Sequence, residues 1–296
     1  MLVFCSSIYL NSIDLIRRVN NLRQKNPHLS TLISIGGWSD GSTKYSQMVR
    51  SDSSRKVFIQ SAIDFLTKHD LDGLDFDWEF PGFNGDEGGD RQLGRPEDKV
   101  DYVTLLRELR QAFAPHQFLL TAALTTAKYN MDHAYIVKED WLCVAIIGAS
   151  HWSEEDRMLT VQYTVDYFIQ NGADPRKLII GVPFYGYGYV SDQKPMVGAN
   201  VVRSFDAGTY AHICLMVKHD TAWKVQFDNE AKASYVVNGG QLITYENAQS
   251  LEYKLNMIKS RNLGGAMIWE VNGDDHRGQC DAGKFPLLSK IMNTLN

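Results

Sequence analysis

The sequence predicts an α/β protein built on a parallel β-sheet, and three observations support this prediction. Short apolar runs alternate with longer amphipathic stretches along most of the 296 residues. Pro115 and Gly172 come just after two of the amphipathic stretches, where a helix should stop. Residues 72–79 alternate acids with large apolar side chains, as a strand with two unlike faces does. Strands that alternate with helices pair in parallel, and eight such units close a barrel.

The predicted elements follow one another in strand–helix order. Strands are expected at residues 31–35, 73–78, 118–123, 142–147, 178–182 and 265–269. Helices are expected at residues 12–25, 55–69, 99–113, 160–171, 247–261 and 287–295. Between residue 191 and about residue 245 the pattern changes to short strands and a helix, with 223–227 and 233–237 expected as β.

Composition fits a soluble globular enzyme of one large domain or two small ones. The chain is 44% hydrophobic and 22% charged. A net charge of −5 provides no basic patch for nucleic acid. No run approaches the roughly 18 apolar residues of a membrane span. The first five residues are apolar but lack a basic flank, so they do not predict a signal peptide.

The most informative segment is residues 72–79, which read Asp-Gly-Leu-Asp-Phe-Asp-Trp-Glu. Residues two apart share one face of a strand, so Asp75, Asp77 and Glu79 should point the same way. Crowded carboxylates repel one another, which raises at least one pKa and lets an acid donate a proton near neutral pH. A solvated edge strand is the alternative, but the large apolar residues of opposite parity argue against it. The segment predicts acid catalysis.

This strand resembles the catalytic signature of glycoside hydrolase family 18, the chitinases and chitinase-like proteins. Three further segments resemble other barrel strands of this family, in the expected order. Residues 34–38 resemble the third strand, residues 181–186 the seventh strand and residues 264–270 the eighth strand. The resemblance implies a TIM-type (β/α)8 barrel. Residues 191–245 resemble the α+β insertion that some chitinases place between strands seven and eight. The predicted domains are therefore 1–190 with 246–296 as the barrel, and 191–245 as the insertion.

The resemblance implies retaining hydrolysis of chitin, a β-1,4-linked N-acetylglucosamine polymer, with neither cofactor nor metal. Family 18 is a substrate-assisted exception to the two-carboxylate mechanism. By resemblance, Glu79 protonates the glycosidic oxygen while the substrate's N-acetyl oxygen attacks C1. Asp77 would orient the acetamide and offset positive charge, and Asp75 would share a proton with Asp77. Asp72 has the other parity and is predicted to be structural.

The predicted partner is chitin or its oligosaccharides. The resemblance implies that Trp269 forms a floor on which the reacting sugar stacks. Trp38 and Phe80 are candidates for lining the cleft, and Gly36 and Gly37 belong to the same predicted binding surface. Family members often carry Tyr where this chain has Phe80, so a hydroxyl is missing there.

The chain has four cysteines and no Cys-x-x-Cys pair, and its histidines are scattered, so zinc is not expected. Isolated buried thiols are one reading of these cysteines. Resemblance to animal members of the family implies instead a disulfide between Cys214 and Cys280, and hence an oxidising, extracellular compartment. Cys5 and Cys143 have no assigned partner.

The sequence departs from the family pattern in two places. Barrel strands one and two are not recognisable, since residues 2–10 provide one strand at most, and an incomplete barrel leaves sheet edges exposed. The sixth strand should end in a Met-x-Tyr-Asp motif, but residues 141–149 contain neither Tyr nor Asp. His151 and Trp152 follow closely and are the candidates for replacing those contacts.

Three functions are consistent with this sequence. The leading prediction is a chitinase of reduced activity. The second is a chitinase-like lectin that keeps the groove but has lost turnover, a class usually marked by loss of the catalytic Glu, whereas Glu79 is present. The third is a truncated isoform without independent function.

Overall fold

The structure is a computed structural model that describes residues 12–82, 94–125, 128–136, 144–146, 160–192, 195–196 and 199–295. The chain divides into two compact units, Met1–Ile146 with Gln162–Leu178, and Ile147–Val161 with Ile179–Asn296. Several predicted features lie outside the described residues: the strand within 2–10, Cys5, Cys143, His151 and Trp152.

The first unit contains four parallel strands in the order β1–β2–β3–β4. The strands are β1 (Leu32–Gly36), β2 (Gly73–Asp77), β3 (Leu119–Leu124) and β4 (Val144–Ile146). The helices are α1 (Ser12–Asn20), α2 (Thr43–Val49), α3 (Asp52–Lys68), α4 (Asp98–Phe113), α5 (Lys128–Ala134) and α6 (Val161–Gln170). The predicted parallel pairing is confirmed for these strands.

Local chemistry fixes where these helices begin and how they pack. The hydroxyl of Ser51 accepts a hydrogen bond from the backbone N–H of Ser54 at 3.1 Å, so α3 begins at Asp52, three residues before the predicted start. The guanidinium of Arg55 donates to Glu108 at 2.8 and 2.9 Å and ties α3 to α4. A bidentate pair of this kind fixes orientation as well as distance.

The second unit combines a parallel strand pair with an antiparallel sheet. Strand β5 (Leu178–Pro183) pairs in parallel with β11 (Gly265–Trp269). The antiparallel sheet has the order β7–β6–β10–β9–β8. Its strands are β6 (Tyr185–Val190), β7 (Arg203–Thr209), β8 (Lys224–Asp228), β9 (Ala233–Asn238) and β10 (Gln241–Tyr245), and the helices of this unit are α7 (Tyr210–His219), α8 (Ala248–Ser260) and α9 (Pro286–Leu295).

The antiparallel sheet begins earlier than the change in sequence pattern suggests. Strand β6 alternates Tyr with Gly, and glycine is unfavourable in strands, so the sequence does not predict it. Gly188 is required because a Cβ there would lie 2.2 Å from the ring of Phe205 on β7. A core of Ala207, Ile213, Trp223, Val236 and Ile243 holds this sheet to α7. The domain division at residues 191 and 245 stays a prediction.

The predicted disulfide between Cys214 and Cys280 is present, with the two Cα atoms 6.0 Å apart. This separation lies within the usual range for a disulfide. The bond links α7 to the segment that follows β11. Beside it, the ammonium of Lys218 donates to the carbonyl of Gln279 and the carboxylate of Asp281, both at 2.8 Å. Among the described residues, no helix has the length and apolar character that a membrane span requires.

Candidate active site

The three predicted acids lie at the carboxyl end of β2, on the face opposite its large apolar residues. Asp75 and Asp77 belong to the strand, and Glu79 lies two residues beyond the end of its regular pairing. The regular strand therefore ends one residue before the end expected from the sequence at residue 78, although the alternation continues through Glu79. All three acids are half-buried. The peptide bond between Glu79 and Phe80 is cis.

The opposite face of β2 is packed with aromatic rings. Phe76 is fully buried and Trp78 is 1% exposed. The ring of Tyr102 lies 5.5 Å from that of Phe76 and 5.4 Å from that of Trp78. The indole N–H of Trp78 donates to the hydroxyl of Ser42 at 2.9 Å, so this buried donor is satisfied. The packing fixes β2, and with it the direction of the three carboxylates.

Asp75 is held by hydroxyl groups from both neighbouring strands. Ser34 on β1 donates to its Oδ2 at 2.9 Å, and Thr121 on β3 donates to its Oδ1 at 2.5 Å. The parallel register places Ser34 and Thr121 directly beside Asp75. Burial raises the pKa of Asp75, and these two hydrogen bonds oppose the rise. Both oxygens of Asp75 thus accept hydrogen bonds from hydroxyl groups. That Asp75 shares a proton with Asp77 stays a prediction.

Asp77 combines a raised pKa with an unsatisfied oxygen. Burial, followed by the charges of Glu79 and Asp75, raises the pKa of Asp77 to about 8. Its Oδ1 atom is buried and has no hydrogen-bond partner within the described residues. A buried acceptor without a donor is costly unless something else supplies the donor. The carboxyl group of Asp77 is thus neutral at pH 7 and has a free oxygen for an incoming ligand.

Glu79 has a milder environment. Burial raises its pKa, and a hydrogen bond from the backbone of Trp38 opposes the rise. A carboxylic acid with a raised pKa keeps part of its proton near neutral pH and can serve as a general acid. The site therefore offers one proton donor beside one neutral, unsatisfied carboxyl group.

The turn after β1 forms one wall of this site. Gly36 and Gly37 have φ values of 107° and 97°, which only glycine adopts readily. A Cβ on Gly36 would lie 2.0 Å from the backbone oxygen of Asp77, and the N–H of Gly37 donates to that oxygen at 2.6 Å. The turn places Trp38, 62% exposed, next to Glu79. Phe80 is half-buried, and its carbonyl accepts a hydrogen bond from Ser42 at 3.4 Å.

Asp72 anchors the opposite end of β2. Its Oδ2 accepts hydrogen bonds from the backbone N–H of Thr31 at 2.5 Å and from the guanidinium of Arg23 at 2.8 Å. Asn20 adds bonds to the carbonyls of His69 and Asp70, both at 2.9 Å. These contacts join the end of α1 to the segment that enters β2, which supports the structural role predicted for Asp72.

Three side chains at this site were not predicted. Ser34 and Thr121 hold Asp75, and Thr121 could have been found as the one polar residue in the apolar strand Leu119–Leu124. Tyr135, which follows α5, is 3% exposed and interacts electrostatically with Asp77 and Glu79. Burial, more than these charges, raises its pKa well above the ordinary value. No local pattern marks Tyr135, because its place depends on how the helix is packed.

In the second unit, Trp269 ends β11 and is 38% exposed. Its backbone oxygen accepts a hydrogen bond from the N–H of Phe184 at 2.8 Å, which fixes the strand end. Its stacking role stays a prediction. Among the described residues, the one group with metal-ligand spacing is Cys214, Asp275 and Cys280, and the two cysteines are joined in the disulfide.

The family model for glycosyl hydrolases family 18 matches residues 3–274. The chain belongs to this family. It is 32% identical to an endochitinase of Manduca sexta over 94% of its own length and 56% of that protein. The chain therefore spans a little over half the length of this curated relative.

Solved structures of the family include both enzymes and inactive relatives. The chain is similar to the Group IV chitinase of Ostrinia furnacalis in complex with allosamidin, at 30% identity and a TM-score of 0.85, covering 97% of this chain and 86% of that one. It is also similar to human YKL-39, described as a pseudo-chitinase with retained chitooligosaccharide binding properties, at 27% identity and a TM-score of 0.85, covering 97% and 86%. Family membership and these neighbours imply a TIM-type barrel.

Proposed function

We propose that this chain binds β-1,4-linked N-acetylglucosamine oligosaccharides and hydrolyses them slowly, with retention, by substrate-assisted catalysis. The observation that carries the proposal is the state of the three acids on β2. Glu79 is retained, the pKa values of Asp75, Asp77 and Glu79 are all raised, and Asp77 has an oxygen without a donor among the described residues. An acid with a raised pKa beside an unsatisfied carboxyl group suits protonation of a leaving group next to a bound amide.

In the proposed reaction, Glu79 gives its proton to the glycosidic oxygen as the bond from that oxygen to C1 breaks. The substrate's N-acetyl oxygen forms a bond to C1, giving an oxazolinium ion. The free oxygen of Asp77 accepts a hydrogen bond from the acetamide N–H and so orients the N-acetyl group toward C1. Water then attacks C1, the bond from C1 to the acetamide oxygen breaks and restores the N-acetyl group, and a proton of the water passes to Glu79. The hydroxyls of Ser34 and Thr121 keep Asp75 oriented beneath Asp77 throughout.

Two observations support the proposed binding of oligosaccharides: the exposed aromatic rings of this chain and its similarity to a relative solved with such a ligand. Trp38 and Trp269 remain 62% and 38% exposed, which is unusual for side chains of this size. Each is proposed to stack on a sugar face. A related Ostrinia furnacalis chitinase domain, as an E2180L mutant, has been solved with a chito-oligosaccharide, and it is 28% identical to this chain. Chito-oligosaccharides are therefore the ligands to test first.

Reduced activity is proposed because the sixth-strand segment lacks the expected Tyr and Asp. Loss of one preorganised donor typically costs about 10²–10³ in rate. An extracellular setting is supported by the disulfide between Cys214 and Cys280.

A non-catalytic, chitin-binding lectin is the second candidate, favoured by the similarity to the pseudo-chitinase. A third candidate is a chain without independent activity because it does not fold stably, and a cooperative melting transition would exclude that. The retained Glu79 favours the enzyme over the lectin.

The deciding experiment measures turnover of a soluble chito-oligosaccharide and its binding in parallel. We expect slow hydrolysis by the wild type. Glu79→Gln should reduce turnover by at least about 10²-fold, as loss of a general acid does, while leaving the dissociation constant within a few fold. Binding without hydrolysis by the wild type would establish the lectin. Unchanged turnover in Glu79→Gln would refute the assignment of the acid.

A further inference from the structure

The turn that carries Trp38 is held to the protein by its last residue, Asp40. The turn is a single 3₁₀ segment, Trp38–Asp40, flanked by Gly37 and Gly41 with positive φ values. Glycines on both sides leave the segment little stiffness of its own. The indole of Trp38 is mostly exposed and cannot hold the turn by burial. Inside the turn, the N–H of Asp40 donates to the carbonyl of Gly37 at 2.9 Å.

The carboxylate of Asp40 has two donors from the start of α2. The hydroxyl of Tyr45 donates to Oδ2, and the ammonium of Lys44 donates to Oδ1. Lys44 is exposed and flexible, and an exposed ion pair contributes little. Tyr45 is only 7% exposed and is therefore the rigid partner of the two.

Tyr45 lies directly under the catalytic strand. Its ring is 5.4 Å from that of Phe76 and 5.7 Å from that of Trp78, the two residues between the proposed catalytic acids. Burial and the bond to Asp40 raise the pKa of Tyr45 well above its ordinary value, so the hydroxyl remains a donor at every working pH. One side chain thus touches both the strand that carries the acids and the turn that carries Trp38.

We propose that Tyr45 is a positioning residue: through Asp40 it holds the Trp38 turn so that the backbone of Trp38 stays hydrogen-bonded to Glu79. Tyr45 touches neither substrate nor reacting atoms. The catalytic consequence of this inference rests on the proposed function, but the contact itself does not. Within the described residues, Tyr45 is the buried side chain that joins Asp40 to the core below β2.

The charges around these groups set the expected sign of the effect. Glu79 faces Asp77 on β2, Tyr135 after α5 and the backbone of Trp38. Asp40 faces Lys44 and Tyr45, and Tyr45 also senses the charge of Asp77. The bond from Trp38 lowers the pKa of Glu79. Loosening the turn should therefore raise the pKa of Glu79 and move the basic limb of the kcat/KM profile to higher pH.

The test is Tyr45→Phe, which keeps the ring and its packing but removes the hydroxyl. We expect the basic limb of kcat/KM to move up by a few tenths of a pH unit or more, and kcat/KM at pH 7 to fall about three- to tenfold. The matched control is Tyr167→Phe, which removes a hydroxyl that donates to Asp132 at 2.6 Å between α6 and α5. The control should leave the basic limb unmoved. Asp40→Asn retains an acceptor for Tyr45 and should recover most of the activity that Asp40→Ala loses.

A second readout separates this inference from the proposed function. The pKa of Glu79 is measured by carboxyl-carbon NMR in the wild type and in Tyr45→Phe, with Glu79→Gln for assignment. A raised pKa of Glu79 in Tyr45→Phe supports the positioning role even if the wild type shows no turnover. Absence of turnover would refute only the proposed hydrolysis. An unchanged pKa with an unmoved limb overturns the inference. A lower melting temperature alone, with both pH readouts unchanged, also overturns it, because it would show a merely structural role.

Discussion

Each of the two units contains a pair of acids close in sequence: the half-buried Asp75 and Asp77 in the first, and the buried Asp274 and Asp275 in the second. The two pairs differ in how completely their carboxyl oxygens are hydrogen-bonded. Asp274 accepts hydrogen bonds from the backbone N–H groups of Leu288 at 2.9 Å and Leu287 at 3.4 Å, at the start of α9. Asp77 has an oxygen with no donor in the described part of the chain.

The pKa values show the same contrast. Burial alone would raise the pKa of Asp275, but backbone hydrogen bonds, first of all from Cys280 at 2.7 Å, hold it below its ordinary value. For Asp77, burial and the neighbouring carboxylates instead raise the pKa to about 8. Buried acids with many donors hold a loop and a helix in place. A buried acid without them is a candidate for chemistry, because a ligand can supply the missing donor.

The largest effect should come from the unsatisfied acid. Asp77→Asn keeps the shape of the side chain but presents an amide to the substrate's acetamide and removes the titrating group. We expect kcat to fall about 10²–10³-fold, or roughly 3–4 kcal/mol of transition-state stabilisation. Kinetics on a soluble chito-oligosaccharide measure this. Asp70→Asn, at an 86% exposed side chain, is the control and should behave as wild type. Comparable losses of kcat in the two variants would show that Asp77 has no special role in the reaction.

The satisfied acids should instead control stability. Asp274→Ala removes the acceptor for the first turn of α9 and leaves buried N–H groups unpaired. We expect the free energy of unfolding to fall by about 2 kcal/mol. Asp281→Ala, which removes a largely exposed partner of Lys218, should change it by less than about 0.5 kcal/mol. Urea unfolding checks both. A loss in Asp274→Ala no larger than in its control would mean that this loop is not held by its acids.

The pH dependence of stability should separate the two pairs by sign. The folded pKa of Asp77, about 8, lies above its ordinary value of 3.8, so the native state binds more protons between these values and loses stability as the pH rises through them. Between pH 5 and pH 8 the free energy of unfolding of Asp77→Asn should therefore rise relative to that of the wild type, by at least about 1 kcal/mol.

Asp275 provides the opposite case. Its folded pKa is depressed, so its contribution is present above 3.8 and is lost as the pH falls through the folded value. Asp275→Asn should be destabilised at neutral pH and should approach the wild type in acid. Unfolding curves at four or five pH values measure both differences. Parallel stability profiles for the two variants and the wild type would contradict the assigned environments.

The smallest expected effect concerns Asp75, which lies between the two extremes because two hydroxyls satisfy it. Thr121→Val removes the donor at 2.5 Å while keeping the shape of the side chain on β3. We expect the pKa of Asp75 to rise further and kcat to fall a few fold, about 1 kcal/mol. Thr104→Val is the control, since Thr104 donates to the backbone carbonyl of Val100 within α4. Equal rates for Thr121→Val and the wild type would remove Thr121 from the site.

The sequence by itself determined the parallel strands and the facing of the acids, because both depend on local periodicity. Residues two apart on a strand share a face whatever surrounds them, so the sequence alone groups Asp75, Asp77 and Glu79. The motifs also placed Gly36 and Gly37, whose positive φ values require glycine. The Cys214–Cys280 pair followed from family resemblance alone, and it too is present.

Only the tertiary structure decided which buried acids lack donors and which side chains support the site. Thr121 reaches Asp75 through the register of β3, and Tyr135 reaches Asp77 and Glu79 through helix packing. Tyr45 is separated from Phe76 by 31 residues (76 − 45) and meets it only because α2 packs below β2. Hydrogen-bond satisfaction and burial are properties of groups brought together from distant segments. No periodicity in the chain encodes them, so the chemistry of Asp77 could be placed by the sequence but not explained by it.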